Sequence, residues 1–237
     1  MVRGLYSAAS GMSGEVTRTE VIANNLANAS TPGFKRDVVV KASFPAMFLR
    51  RLQDALPMAR GLIQGLPAAV PDPRPPVGPM GTGSGPAEVV TDLRQGNVRV
   101  SSNPLDLSLA GPGFFVLAAP AGPRYTRAGN FSLDSEGYLV GPQGYRVMGR
   151  LLVVDFPDPA GLVKEGASLF AAGAGSGPAV PVAVPAVTQG ALEMANVETV
   201  KEMVSLVEVF RAYEASQRAI QSQDQTLARV IDEVGDV

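Results

Sequence analysis

The stretch LYSAASGMSGEVTRTEVIANNLANASTPGFKR, residues 5–36, decides the architecture. Leu5, Ala9, Met12, Val16, Thr19, Ala23 and Leu26 recur at steps of four and three. That heptad spacing puts them on one stripe of an amphipathic helix, with Thr19 as its polar member. Thr31-Pro32-Gly33-Phe34 then places Pro and Gly at the second and third positions of a type II turn, so the helix is expected to stop near Asn28–Ser30. Asn24, Asn25 and Asn28 crowd its last turns, where Asn competes for backbone hydrogen bonds. They read either as fraying into the turn or as polar residues that fix register in a helical interface. On the second reading, Asn25→Leu raises helix stability and spoils ordered assembly.

The other end of the chain repeats the pattern. Met203, Leu206, Phe210, Tyr213, Gln217, Ile220, Asp224, Leu227, Ile231 and Val234 again step by three and four, and neither Gly nor Pro interrupts 191–234. At about 1.5 Å per residue this makes a rod of roughly 60 Å, longer than a small domain needs. Either helix alone could belong to a bundle core. Two of them around a helix-poor middle favour a coiled coil made by the chain ends. Arg3, Arg18, Lys35 and Arg36 against Glu15 and Glu20 leave the first end basic, while 190–237 is acidic, which permits the pairing.

Between the ends the periodicity changes to two. Leu105, Leu107 and Leu109 alternate with Asp106 and Ser108; Gly111-Pro112-Gly113 turns into Phe114-Phe115-Val116-Leu117; further turns follow at 134–137 and 141–144. Short strands with Gly-rich turns suggest a β-sandwich or partly open barrel. Residues 57–86 hold eight Pro and six Gly, a composition suited to a linker or surface loop. The expected plan is α+β: an N-terminal helix (1–30), a turn and hairpin-like extension (31–56, where 43–56 could instead be a short helix), a linker (57–87), a mainly antiparallel β domain (88–188) and a long C-terminal helix (189–237) forming a coiled-coil-like pair with the first.

Composition narrows the chemistry. The 237 residues contain neither Cys nor His, which removes thiol nucleophiles, Cys/His metal sites and imidazole-based triads. With 20 basic and 22 acidic residues, the net charge of −2 gives no field for nucleic acid. No apolar run approaches the roughly 20 residues of a membrane span, and 1–14 lacks the apolar core of a secretory signal. The glycine-rich patches 81–85 and 173–177 lack the Gly-Lys-Ser/Thr ending of a phosphate loop. Asp106, Asp134, Glu136, Asp155, Asp158 and Glu165 are the candidates for a glycosidase pair. They are expected at turns or facing outward as solvated acids, so no catalytic residue, cofactor or metal is assigned.

Longer motifs point further. Ala23-Asn24-Asn25-Leu26-Ala27-Asn28 with Ser30-Thr31-Pro32-Gly33-Phe34-Lys35-Arg36 resembles the N-terminal signature of bacterial flagellar rod and hook proteins. Gly4–Met12, Asn103-Pro104-Leu105-Asp106-Leu107, Gly113-Phe114-Phe115 and Tyr125–Phe131 are similar to the same family, as are Gly190–Val197, Glu202-Met203 and Arg211–Glu214. The resemblance implies a basal-body rod subunit in the periplasm, exported through the flagellar type III apparatus without a cleaved signal, whose paired terminal helices build a tube that carries torque to the hook. Implied partners are further copies of itself, neighbouring rod and hook subunits, the export apparatus and surrounding ring proteins, with no nucleic acid and no membrane insertion. The expected assembly interface comprises Leu5, Met12, Val16, Asn24, Asn25, Leu26, Asn28, Met203, Leu206, Phe210, Tyr213, Ile220 and Leu227, with Thr31, Pro32 and Gly33 setting the turn. An accessory or cap protein of the flagellar axis, or a peptidoglycan-binding or peptidoglycan-cleaving protein, are the alternatives.

Overall fold

A computed structural model describes residues 2–43, 47–50, 76–80, 84–149 and 151–235. Helices α1 (Val2–Ala27) and α2 (Thr199–Gly235) occupy the two ends. Between them run β1 (Asp37–Ser43), β2 (Met47–Arg50), β3 (Pro76–Met80), β4 (Ser84–Thr91), β5 (Val98–Val100) and β6 (Leu107–Leu109). Then come β7 (Phe114–Ala119), β8 (Gly122–Thr126), β9 (Ser132–Leu133), β10 (Leu139–Val140), β11 (Arg146–Val147) and β12 (Val153–Asp155). β13 (Val163–Glu165), β14 (Leu169–Ala171), β15 (Val180–Pro181), β16 (Val187–Gln189) and β17 (Ala191–Glu193) complete the set. The α+β class of the sequence reading stands. The chain clusters into two compact units, one of Glu15–Val40 and Glu88–Ala212, the other of Met1–Gly14, Lys41–Ala87 and Tyr213–Val237, so each helix contributes to both.

The middle is organised around one nine-stranded antiparallel sheet in the order β13-β14-β8-β7-β11-β10-β9, with β12 also paired to β7 and carrying β15. β7 lies at its centre because four consecutive apolar side chains, Phe114 to Leu117, are all buried. Alternation sends Phe115 and Leu117 into one cluster with Leu109, Phe131, Val153 and Leu169. It sends Phe114 and Val116 into the opposite cluster with Tyr125, Val154, Phe156 and Phe170. At about 1.5–3 kcal/mol per buried large apolar side chain, β7 is the best-anchored strand of the fold. Smaller ribbons pair β1 with β4, β2 with β3, β6 with β16 and β5 with β17.

Three sequence readings are corrected. The second helix starts at Thr199, not 189, because Ala191–Glu193 is taken up as β17 against β5 and its three side chains are buried. Tertiary pairing there overrides a stretch that nothing in its own composition stops from being helical. Within the segment read as linker, Pro76–Met80 is a strand paired with Met47–Arg50, and Ser84–Thr91 is a strand of the β1 ribbon. Proline is tolerated in β3 because the ribbon has only two strands; the rest of 57–86 lies outside the described residues. Asp106, read as a solvated acid, is buried and accepts from Ser101 Oγ at 2.5 Å and Asn103 Nδ2 at 3.1 Å. A carboxylate supplied with such donors can leave water.

The turn after α1 forms as expected: Phe34 N donates to Thr31 O at 3.3 Å and Gly33 adopts φ +68°. A Cβ on Gly33 would also strike the backbone of Arg127 and Ala128. Gly137 likewise has positive φ, +82°, but faces open space. Gly137→Ala is therefore expected to cost about 1–2 kcal/mol from backbone conformation alone, and Gly33→Ala well above about 2 kcal/mol because strain and collision add. Urea unfolding midpoints of the two variants provide the check; equal losses would refute the close approach at Gly33.

Candidate assembly surface and the junction behind it

Phe34, Lys35 and Arg36 enter the interior of the larger unit directly after the turn. Lys35 and Glu193 are both fully buried, 0% exposed, with Lys35 Nζ 2.5 Å from Glu193 Oε1. Lys35 Nζ also donates to Arg94 O at 2.7 Å, and Gly96 N donates to Glu193 Oε1 at 3.1 Å. The Arg127 guanidinium lies 3.4 Å from Glu193 Oε2 and donates to Gly111 O at 2.6 Å. Backbone contacts close the same site, since Gly33 N donates to Glu193 O at 2.8 Å. Burial lowers the pKa of Lys35 below the ordinary lysine value, with Glu193 opposing the shift. Arg127 is likewise lowered by burial and supported by Glu193.

Around this pair the neighbouring residues make further ties. Phe34 is buried beneath Lys164, whose Nζ sits 3.9 Å from the ring centroid. Lys164 Nζ also donates to Lys35 O at 2.6 Å and to Asp37 Oδ2 at 2.8 Å. Arg36 N donates to Asn196 Oδ1 at 2.8 Å, and its guanidinium reaches Glu202 on α2 at 3.3 Å and Asp92 at 3.6 Å. Asn196 Nδ2 in turn donates to Asp92 O at 2.7 Å. The end of α1, the start of α2 and the β domain thus meet at residues 34–37.

The asparagines separate into three situations. Asn25 is buried and exchanges two hydrogen bonds with the Asp37 backbone, donating to Asp37 O at 2.8 Å and accepting from Asp37 N at 2.9 Å. Its amide imitates the peptide of a neighbouring strand and plugs the edge of β1. Leucine there would leave both Asp37 backbone groups without that partner, so the expected gain in stability reverses into a loss of about 1 kcal/mol per hydrogen bond. Asn28 belongs to the turn, donating to Asn24 O and accepting from Thr31 Oγ1. The Asn24 side chain is exposed.

Along the helices, the residues shielded from solvent only partly coincide with the apolar seam. In α1 the buried positions are Gly14, Glu15, Ile22 and Asn25. Leu5, Met12 and Leu26 are half-buried, and Val16 is exposed. In α2 the shielded line is Glu202, Leu206, Val209, Tyr213, Ser216, Ile220, Gln223 and Leu227. Leu206, Tyr213, Ile220 and Leu227 therefore lie on it, whereas Met203 and Phe210 are 50% and 51% exposed. Val200, Val204 and Val207 are exposed beside them, making one apolar stripe on the first turns of α2. Thr31 and Pro32 are half-buried and Gly33 buried at the turn.

Lys35, Arg127, Glu193, Asn196 and Glu202, which lie inside the motifs that carry the family resemblance, and Lys164, which does not, form the junction, and the sequence assigned none of them that role. Lys35 and Glu193 are 158 positions apart, and periodicity reports only local neighbours. Among the candidate acids, Asp134 and Glu136 pair with Arg146, and Glu165 with Arg124, as structural ion pairs. Among the described residues no group of three or more acids could hold a metal ion.

Removing one member of the buried pair strands the other. Lys35→Met and Glu193→Leu are each expected to destabilise by about 3–5 kcal/mol, and the double variant by clearly less than the sum. A double-mutant cycle in urea gives the coupling; additive losses would rule out a mutually dependent pair.

Comparison with known proteins places this architecture. Residues 5–35 match the family model described as flagella basal body rod protein, 108–197 the flagellar hook protein FlgE/F/G D1 domain, and 188–233 the flagellar basal body rod FlgEFG protein C-terminal. The chain is 31% identical to the flagellar basal-body rod protein FlgG of Borreliella burgdorferi over 96% of its own length and 97% of the relative's. It is 29% identical to FlgG of Caulobacter vibrioides, covering 95% and 97%. It is also 25% identical to the flagellar hook-basal body complex protein FlhO of Bacillus subtilis, spanning 100% of both chains. A turn and helix end at one terminus, a strand-to-helix passage at the other and the sheet between them are thus matched together, and the chain belongs to the flagellar basal-body rod protein family.

Proposed function

We propose that this structural subunit of the flagellar basal-body rod builds a helical tube through its terminal helices and carries torque from motor to hook. The observation behind this reading is the apolar stripe Val200, Met203, Val204, Val207 and Phe210, which its own chain leaves exposed. Exposed apolar rows of this kind mark interaction surfaces. The shielded stripes of α1 and α2 suit a coiled-coil-like pair, supported where Gly4 faces the Gln223 side chain without room for a Cβ. The seam residues left exposed, Val16, Met203 and Phe210, then face neighbouring subunits. Copies joined by contacts between unlike surfaces repeat without closing and generate a helix.

Leu5, Met12, Val16, Leu26, Met203 and Phe210 are assigned to contacts between subunits or beside them, and Leu206, Tyr213, Ile220 and Leu227 to the pair within the chain. Asn24, Asn25 and Asn28 set polar geometry where α1 ends. The partners are other copies and neighbouring rod and hook subunits. The family resemblance extends this to passage through the type III export apparatus without a cleaved signal, a periplasmic rod and surrounding ring proteins. No helix among the described residues is long and apolar enough to cross a membrane.

Phe210→Asp keeps the junction intact while placing a charge on the stripe. The far-ultraviolet circular dichroism of the monomer should stay unchanged. The critical concentration for polymerisation should rise by at least about tenfold, since about 1.5–3 kcal/mol of apolar burial is lost at each contact. Sedimentation of purified protein measures it; unchanged polymerisation with a charge at 210 would refute the role of this face.

A further inference from the structure

The larger unit carries a second pair of unlike surfaces, and they complement each other. One is a groove of about 640 Å³ between the end of α1, the β1–β4 ribbon and the segment 159–166. Val21, Val89, Val90, Leu162 and Val163 give it an apolar lining, with Glu20 on the helix wall and Glu88 on the strand wall. Its other charges, Asp37 and Lys164, are paired to each other at 2.8 Å. Glu20 and Glu88 have no ion-pair partner among the described residues, so the groove carries uncompensated negative charge. Asn24 also lines it, and its side chain has no hydrogen-bond partner among the described residues.

The other surface is β5. Ser101 N donates to Gly190 O and Met194 N to Asn97 O, so the bonded pairs with β17 fall at 97, 99 and 101. The peptide groups of Val98 and Val100 therefore point away from β17, along an edge that no described strand covers. Val98 is 49% and Val100 85% exposed on one face. Arg99 is exposed on the other, with no ion-pair partner among the described residues. An exposed Val-Arg-Val edge matches an apolar groove with two unpaired glutamates.

We propose that β5 of one copy enters this groove of the next copy edge first, a contact that rests on the rod reading above. Val98 and Val100 lie against the Val89–Val90 wall, and Arg99, on the opposite face of β5, reaches Glu20 on the helix wall. Asn24 offers its amide to the incoming edge in the way Asn25 already does to Asp37. The two surfaces are distinct patches of one chain, so the contact is heterologous and propagates.

The absence of cysteine makes the test direct. Chains carrying both Val90→Cys and Val100→Cys, expressed in place of the wild type, are oxidised in purified basal bodies and run without reductant. A ladder of disulfide-linked multimers is expected, absent with either cysteine alone and with Val100→Cys combined with Ser135→Cys. Val89→Cys replaces Val90→Cys if the latter does not accumulate. Arg99→Glu should lower the ladder at least tenfold, and Glu20→Arg should restore it in the Arg99→Glu background. Basal bodies that contain the chain but give no ladder, or a ladder unaffected by Arg99→Glu, overturn the contact and leave the rod reading standing. Crosslinking of Val100→Cys to a different protein overturns the choice of a second copy. Absence of the chain from basal bodies overturns the rod reading itself.

Discussion

The buried pair of Lys35 and Glu193 is the constraint on which the larger unit depends. Two charges withdrawn from water carry a desolvation penalty of several kcal/mol each, and their attraction offsets it only in one geometry. Arg94 O and Gly96 N fix that geometry by hydrogen bonds, and the Arg127 guanidinium adds a charge 3.4 Å from Glu193 Oε2. An apolar contact at the same place could slide by a fraction of a residue with little loss. This one cannot, because a displacement of either partner leaves a charge unpaired in the interior. Lys35 follows the turn after α1, and Glu193 precedes α2 by six residues, so the exits of both helices are referred to a single fixed point.

Parts of this were legible locally. The turn at 31–34 could be read because Pro and Gly carry their backbone preferences with them. The central strand could be read because Phe114–Leu117 is an apolar run too short for a helix between two glycine turns. The start of α2 could not. Ala191–Glu193 has no breaker, and only its pairing with Val98–Val100 makes it a strand. Nor could Asp106 be recognised as buried, since the donors that make burial tolerable, Ser101 and Asn103, become neighbours only when the turn has formed.

The seam shows most plainly where sequence reading ends. Heptad spacing identified the apolar stripe of each helix, and that stripe is real. What periodicity does not carry is the identity of the surface that covers it. In α2 the shielded frame passes through Val209, fully buried, while Phe210 beside it is half exposed. In α1 the buried positions are Gly14, Glu15, Ile22 and Asn25, of which Ile22 alone is a large apolar side chain. A chain selected only to fold alone would put its most apolar row inside. Here Val16, Met203 and Phe210 of that row are exposed.

Such a division has a consequence for how folding and assembly are ordered. Residues that close the junction, Asn25, Lys35, Arg36, Asn196 and Glu202, are polar or charged and find their partners within the chain. Residues left exposed on the first turns of α2 are apolar and find none there. A subunit built this way can complete its β domain and fix both helix exits while leaving the apolar stripe of α2 exposed. The far end of α1 differs. Gly4, Ala8 and Gly11 bury no large side chain there and Leu5 and Met12 are only half-buried, so less apolar area within the chain offsets the entropy of ordering that segment. The junction thus ties down the end of α1, through Asn25 and the turn at 31–34, more firmly than its start.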